Sequence, residues 1–229
     1  MPLPKINQPI FSLTLPSTGK AIRFRPFTVR EEKLLLIAQE SGERKDIINA
    51  YKQLINNCCI DPVDVDKLAS FDIEYFFINL RSKSVSNIAK VMITDQDDGK
   101  QYEVEFNLDK AEIVKKNDIS NNIKLTDSIG VFLKYPTFEM LLSLDLEKLD
   151  TIGILRSCID QIYEGDQVFD TSNYTTSEMD EFIMSLNKHQ MEKIQEFFES
   201  LPKIVARSKY VTAEGNVKDI VIEGLDNFF

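Results

Sequence analysis

Histidine and cysteine are scarce in this sequence. Among 229 residues there are one histidine, His189, and three cysteines, Cys58, Cys59 and Cys158. Any catalytic triad would have to be assembled around that single histidine, and two adjacent cysteines lack the CxxC spacing of a zinc knuckle. An odd, sparse set of cysteines also argues against a disulfide framework and for a reducing compartment. We therefore expect no enzymatic activity and no bound metal.

Long apolar runs and glycine-rich loops are missing as well. No run approaches the roughly 18 apolar residues of a membrane helix, and the N-terminal residues lack the pattern of a signal peptide. The eight glycines are scattered, so no dinucleotide fingerprint exists. At the Gly19-Lys20 pair, Thr14 and Ala21 stand where a phosphate loop needs glycine and a hydroxyl residue, which indicates a hairpin turn instead. We expect no membrane, no cofactor and no small-molecule substrate.

Positive charge is also in short supply. The chain carries 27 Lys and Arg against 37 Asp and Glu, a formal net charge of -10. This balance opposes general binding of phosphates, so nucleic acid is an unfavoured partner, and it favours cationic partners. The length allows one large domain or two small ones with a sizeable core.

One basic segment stands out from this acidic background. The stretch "STGKAIRFRPFTVREEK" contains Lys20, Arg23, Arg25, Arg30 and Lys33. Alternation along a strand places Arg23, Arg25 and Phe27 on one face, and Pro26 indicates that the strand lies at an edge or ends there. Arginine beside phenylalanine is typical of protein interfaces. A solvated strand face and a nucleic-acid site on residues 20–33 are the alternatives.

A second unusual feature is the terminal "GLDNFF". Phenylalanines at a chain end usually fray in water unless they are docked. Burial in the chain's own core and insertion into a partner are both open. The interface candidates are therefore Arg23, Arg25, Phe27, Arg30, Phe228 and Phe229.

Periodicity and turn residues outline the secondary structure. They predict a first hairpin and a helix from a Thr28–Glu31 capping box to Gly42. They also predict helices over about 44–57, over "FDIEYFFINLRSK" with its start at Ser70 or Asp72, over 137–149 and over 151–163, and two helices beginning near 176 and 187. Asp98-Gly99 and Glu214-Gly215 predict two further hairpin turns. The acidic tip at Asp95, Asp97 and Asp98 resembles a calcium loop, but Thr94 and Gln96 would occupy two ligand positions.

These elements predict an α+β fold that is mainly helical with β-hairpins. A polar connector near 115–122 suggests a boundary between residues 1–116 and residues 117–229, with one compact unit as the alternative. The motifs "FFINL" and "FFESL" each precede a hairpin. Two similar halves, each with helices followed by a hairpin, are therefore an open alternative.

Three segments carry a resemblance to a known family. They are "LPSTGKAIRFRPFTVREEKLLL" (15–36), "FDIEYFFINLRSKSV" (71–85) and "IEGLDNFF" (222–229). Together they resemble the T-even-type bacteriophage baseplate proteins, the family of the baseplate hub subunit and the hub assembly protein. Because the segments lie near the beginning, middle and end, the resemblance covers essentially the whole chain.

The resemblance implies a non-enzymatic viral protein made late in the host cytoplasm. It implies a role in building the hub of a contractile-tail baseplate, through contacts with other hub and tail proteins. It leaves open whether the protein stays in the virion or acts only as an assembly chaperone. Relatives often carry cysteine pairs in two hairpins, like small zinc ribbons, whereas the tips "TDQDDGKQ" and "TAEGNV" have none. The resemblance therefore implies hairpins without metal, held by packing.

Overall fold

The computed structural model describes residues 6–115, 120–137, 140 and 151–223. The helices in this part of the chain are α1 (Val29–Ser41), α2 (Arg44–Cys58), α3 (Ser70–Ser84), α4 (Thr151–Cys158), α5 (Thr176–Met184) and α6 (Lys188–Glu199). The strands are β1 (Phe11–Thr14), β2 (Ala21–Phe24), β3 (Ile88–Thr94), β4 (Gln101–Asn107), β5 (Glu112–Val114), β6 (Asn122–Lys124), β7 (Ile129–Leu133), β8 (Ile159–Glu164), β9 (Gln167–Asp170), β10 (Lys203–Val211) and β11 (Val217–Glu223). None of the described helices is long and apolar enough to cross a membrane.

Helix and strand contents correct one prediction. In the described part of the chain, 40% of the residues are helical and 31% lie in strands, which form four sheets. The α+β class is consistent with this, but the expectation of a mainly helical protein is wrong. Part of the overestimated helix content is the helix predicted over 151–163, because α4 ends at Cys158 and the chain continues as β8. The helix predicted over 137–149 lies largely outside the described residues.

The three predicted hairpins are present, each with a glycine in its turn. β1 pairs with β2, β3 with β4 and β10 with β11, all antiparallel. Gly19, Gly99 and Gly215 take φ values of 68°, 67° and 86° at the turns. This left-handed backbone is accessible to glycine at little cost, so the three turn predictions are confirmed.

Side-chain caps start the helices at the expected places. Thr175 with Glu178 and Asn187 with Gln190 form complete capping boxes at α5 and α6. At α1, Glu31 accepts a hydrogen bond of 2.8 Å from the backbone amide of Thr28. Each bond satisfies an amide that would lack a partner within the helix.

The described residues divide into two compact units. The first unit combines the chain up to Val65, Phe71–Val114 and the chain from Lys203 onward. The C-terminal hairpin belongs to it because β10 pairs with β5 as well as with β11. Because residues 116–119 lie outside the described part, the predicted division into residues 1–116 and 117–229 stays a prediction, as does the similarity of the two halves.

Helix α3 supplies the centre of the first unit. Phe76, on α3, meets Phe24 of β2 with ring centroids 5.3 Å apart, and Phe77 meets Tyr51 of α2 at 4.7 Å. Ile78 packs with buried residues of both later hairpins, including Ala89, Val104, Phe106, Ile204, Ala206 and Ile222. A helix apolar over most of its circumference suits such a position, since elements cover it on several sides.

The second unit comprises Asp66–Ser70 and Lys115–Pro202. Its four-stranded antiparallel sheet has the order β6-β7-β8-β9. Helices α4, α5 and α6 contribute Leu155, Met179, Ile183, Ile194 and Phe197 to a core shared with Ile123, Val131, Leu133 and Ile159 of the sheet. Each helix therefore buries one apolar face against the strands.

Candidate protein-interaction site

Strand β2 contains the first arginine of the basic segment, and the backbone at and just after this strand makes hydrogen bonds on both sides. β1 lies on one side of β2. On the other side, the Ile60 amide donates to the Arg23 carbonyl and the Arg25 amide donates to the Cys58 carbonyl, both at 2.9 Å. The regular strand ends at Phe24, just before Pro26. Arg25 and Phe27 therefore follow the strand and do not continue its exposed face.

Arg23 is exposed and already has a carboxylate partner. Its Nη2 atom lies 2.7 Å from Asp61 Oδ1, and its backbone amide donates to Asp61 Oδ2 at 2.8 Å. The hydrogen bond from Arg23 and the attraction between the charges lower the pKa of Asp61. The pair fixes the loop of residues 59–64, which follows α2, beside β2, and it leaves Arg23 less positive charge to offer a partner.

Arg25 points toward the start of α1. Its guanidinium donates to Glu31 Oε1 at 2.9 Å, to the Asn57 carbonyl at 3.0 Å and to the Pro26 carbonyl at 2.9 Å. Glu31 is only 5% exposed. Burial alone would raise the pKa of Glu31, but hydrogen bonds from Arg25 and Thr28 lower it to about 2. The charge of Arg25 is therefore used within the chain to hold the N-terminus of α1.

Phe27 is half-buried, and its amide donates to Ser84 Oγ at 2.9 Å. Arg30 is exposed, one residue into α1. The structure thus separates the predicted group into a paired Arg23, an inward Arg25 and an outward Arg30. Phe228 and Phe229 lie outside the described residues. Whether any of these residues forms an interface stays a prediction.

Apolar side chains beside Arg30 were not among the candidates. Val29 is 80% exposed, and Leu36 and Ile37 are each 54% exposed. With Arg30 and Lys33 they lie on the outward side of α1, opposite the buried Glu31 and Ala38, and these five residues are named here the α1 face; the exposed Glu40 lies on the same side of the helix. The sequence did hold a signal, because four consecutive apolar residues, 34–37, span about 300° of a helix and cannot all face inward.

The β3-β4 and β10-β11 hairpins share a polar network near their tips. The buried Asp95 carboxylate lies 2.6 Å from Lys218 Nζ and accepts a hydrogen bond of 2.5 Å from the Tyr210 hydroxyl. The bonds from Lys218 and then Tyr210 hold the pKa of Asp95 well below its usual range. Lys218 also lies 2.5 Å from Asp97. The two hairpins are thus joined by charge and hydrogen bonds in addition to the expected packing.

Histidine and cysteine are the side chains best suited to metal binding or nucleophilic chemistry. No cluster of three or more metal-binding side chains occurs within the described ranges. Burial raises the pKa of Cys58 to about 12 and those of Cys59 and Cys158 to about 11, so these thiols stay protonated at neutral pH. His189 is an exposed residue of α6, with Nδ1 3.8 Å from Glu192.

Exposed cations beside exposed apolar side chains are typical of protein-binding surfaces. Comparison with protein families matches residues 8–229 to the family described as T4 bacteriophage base plate protein. The chain therefore belongs to this bacteriophage baseplate family, as the three quoted segments predicted. The comparison with curated proteins gives no match, and neither does the comparison with solved structures.

Proposed function

We propose that this chain is a non-enzymatic protein of the baseplate hub in a contractile phage tail. It acts through contacts with other hub and tail proteins, either as a structural subunit or as an assembly chaperone, and it acts in the host cytoplasm during assembly. The observation that carries this proposal is the family match over nearly the whole chain. Membership of a baseplate family supports a role in viral assembly. Within the baseplate, we propose the hub as the part in which this chain acts.

The α1 face is the proposed contact surface. Val29, Leu36 and Ile37 offer apolar area, and the cations of Arg30 and Lys33 lie beside them. Apolar contact supplies most of the affinity of such surfaces, while charge selects the partner. A complementary partner surface would carry carboxylates around an apolar depression. We therefore propose that α1 docks on an acidic, partly apolar surface of another hub protein.

Co-purification from infected cells tests this proposal. An affinity-tagged chain with Arg30→Glu/Lys33→Glu should lose hub proteins that the tagged wild-type chain retains. The matched control is Lys100→Glu/Lys110→Glu, which changes the net charge equally at exposed positions elsewhere. Equal recovery of hub proteins with all three chains would refute the α1 contact.

Mass spectrometry of purified virions separates the two forms of the proposal. A stoichiometric amount of the chain in virions supports a structural subunit. Its presence in assembling tails and absence from virions supports an assembly chaperone.

A further inference from the structure

A groove in the second unit differs in character from the α1 face. It is bounded by β7, the β8-β9 hairpin and α5, and its volume is about 420 Å³. Its apolar lining includes Ile129, Ile162, Phe169, Tyr174, Met179 and Phe182. This volume falls in the range of pockets that accept one or two large side chains or a small ligand.

The groove walls keep their shape through the sheet and a ring contact. Ile162 pairs with Phe169 across β8 and β9. The rings of Phe169 and Tyr174 meet edge to face, with centroids 6.5 Å apart. Tyr174 is 42% exposed even so. Aromatic side chains that are held in place but remain exposed lose little entropy when a partner covers them.

The chain segment that forms β8, β9 and α5 carries only acidic charged residues. From Ile159 to Asn187 there is no lysine or arginine, whereas the acids are Asp160, Glu164, Asp166, Asp170, Glu178, Asp180 and Glu181. Some of these are used internally, since Asp180 pairs with Arg156 and Glu178 caps α5. Within the described residues, no ion pair engages the exposed carboxylates of Glu164 and Asp166. Glu164 lines the groove and Asp166 stands two residues further on, in the β8-β9 turn, so their charge is available to a partner.

We propose that this groove binds a segment of another protein in which large apolar side chains are flanked by lysine or arginine. The apolar side chains fill the space between the β8-β9 hairpin and α5, and the cations pair with Glu164 and Asp166. An acidic rim disfavours acidic segments by repulsion, so charge sets the specificity while the apolar anchor supplies most of the affinity. The site does not involve the α1 face.

Fluorescence anisotropy with three labelled peptides tests the proposed chemistry on the purified full chain. The first peptide is a twelve-residue probe with a Leu-Phe-Leu centre and two lysines on each side. The second replaces each lysine by glutamate, and the third replaces the apolar centre by serines. At physiological ionic strength we expect the first peptide to bind at least tenfold more tightly than either of the others.

Variants then locate the binding. Glu164→Lys/Asp166→Lys should weaken the lysine peptide at least tenfold and strengthen the glutamate peptide. Tyr174→Ala should weaken the lysine peptide severalfold without any change in charge. The control Glu196→Lys/Glu214→Lys changes the net charge equally at exposed sites and should bind like wild type. Circular dichroism establishes that each variant is folded.

Several results would overturn the proposal. One is a control variant that weakens binding as much as Glu164→Lys/Asp166→Lys, because the peptide would then sense only the net charge. Another is no binding of the lysine peptide at millimolar concentration. A third is self-association of the wild-type chain that Tyr174→Ala abolishes, because the groove would then hold a second copy. Each result is independent of whether the α1 variants retain hub proteins.

Discussion

Replacing Glu31 with glutamine removes a buried charge that orders the start of α1. The Glu31 carboxylate accepts hydrogen bonds from Arg25 and from the Thr28 amide. These bonds give it a pKa of about 2 against an ordinary value of 4.5. A difference of this size corresponds to about 3 kcal/mol of stability at neutral pH. We expect Glu31→Gln to lower the free energy of unfolding by about 2–3 kcal/mol, since glutamine can keep some hydrogen bonds.

The dependence on pH has a definite sign. Because the pKa of Glu31 is lower in the folded than in the unfolded protein, its stabilisation is complete above about pH 4.5. It is lost as the pH falls toward 2. The wild-type protein and Glu31→Gln should therefore differ less in free energy of unfolding at pH 3.5 than at pH 7, by roughly 1.4 kcal/mol.

Urea unfolding, followed by circular dichroism at pH 7 and pH 3.5, measures both quantities. The matched control is Glu32→Gln, which removes the neighbouring exposed carboxylate of the same helix. We expect the control to change the free energy of unfolding by less than about 0.5 kcal/mol. The reasoning fails if Glu31→Gln behaves like Glu32→Gln, or if its effect is the same at both pH values.

Three further predictions concern stability. A Cβ at Gly130 would lie 2.6 Å from Tyr163 Cε1. Gly130→Ala should therefore lower the free energy of unfolding, measured in urea, by about 1–3 kcal/mol. A second change, Tyr163→Leu, should reduce that loss. Lys218→Met leaves the Asp95 carboxylate without its cation. This single variant should lower the urea midpoint of unfolding more than the double variant Lys218→Met/Asp95→Asn does. An equal effect would show that the two residues are not coupled. Asn187→Ala removes the N-terminal cap of α6 and should lower the free energy of unfolding by about 1 kcal/mol. An unchanged melting curve would contradict the capping role.

Local signals predicted the parts of the fold that depend on few residues. The Gly19 and Gly99 turns need a left-handed backbone, which near neighbours in sequence already indicate. The Asn187–Gln190 capping box is formed within one helical turn. Such elements can be recognised because the groups that stabilise them are close in sequence.

Strands whose stability comes from distant partners escaped prediction. β5 is short and exposed, and it forms by pairing Glu112–Val114 with Lys203–Val205. β8 follows α4 directly, and the spacing of Ile159 and Ile162 also suits a helix. Pairing with β7 and β9 decides in favour of the strand. Tertiary contacts of this kind override local propensity.

The candidate site shows the same limit. The sequence indicates the arginines but not their partners. Arg23 pairs with Asp61, 38 positions away, and Arg25 turns inward to Glu31. Two predicted surface cations are therefore engaged within the chain. The outward apolar residues of α1 could have been suspected from the run 34–37, since a helix buries only part of its circumference on one neighbour.

The role in baseplate assembly is tested most directly by removing the protein from the phage. The test uses a phage with an early stop codon in the gene for this chain. Tails and baseplates from the infected cells are sedimented and imaged by electron microscopy. We predict that complete baseplates are missing and that wild-type chain supplied from a plasmid restores them, whereas Arg30→Glu/Lys33→Glu does not. Normal numbers of complete baseplates without this protein would contradict the proposed function.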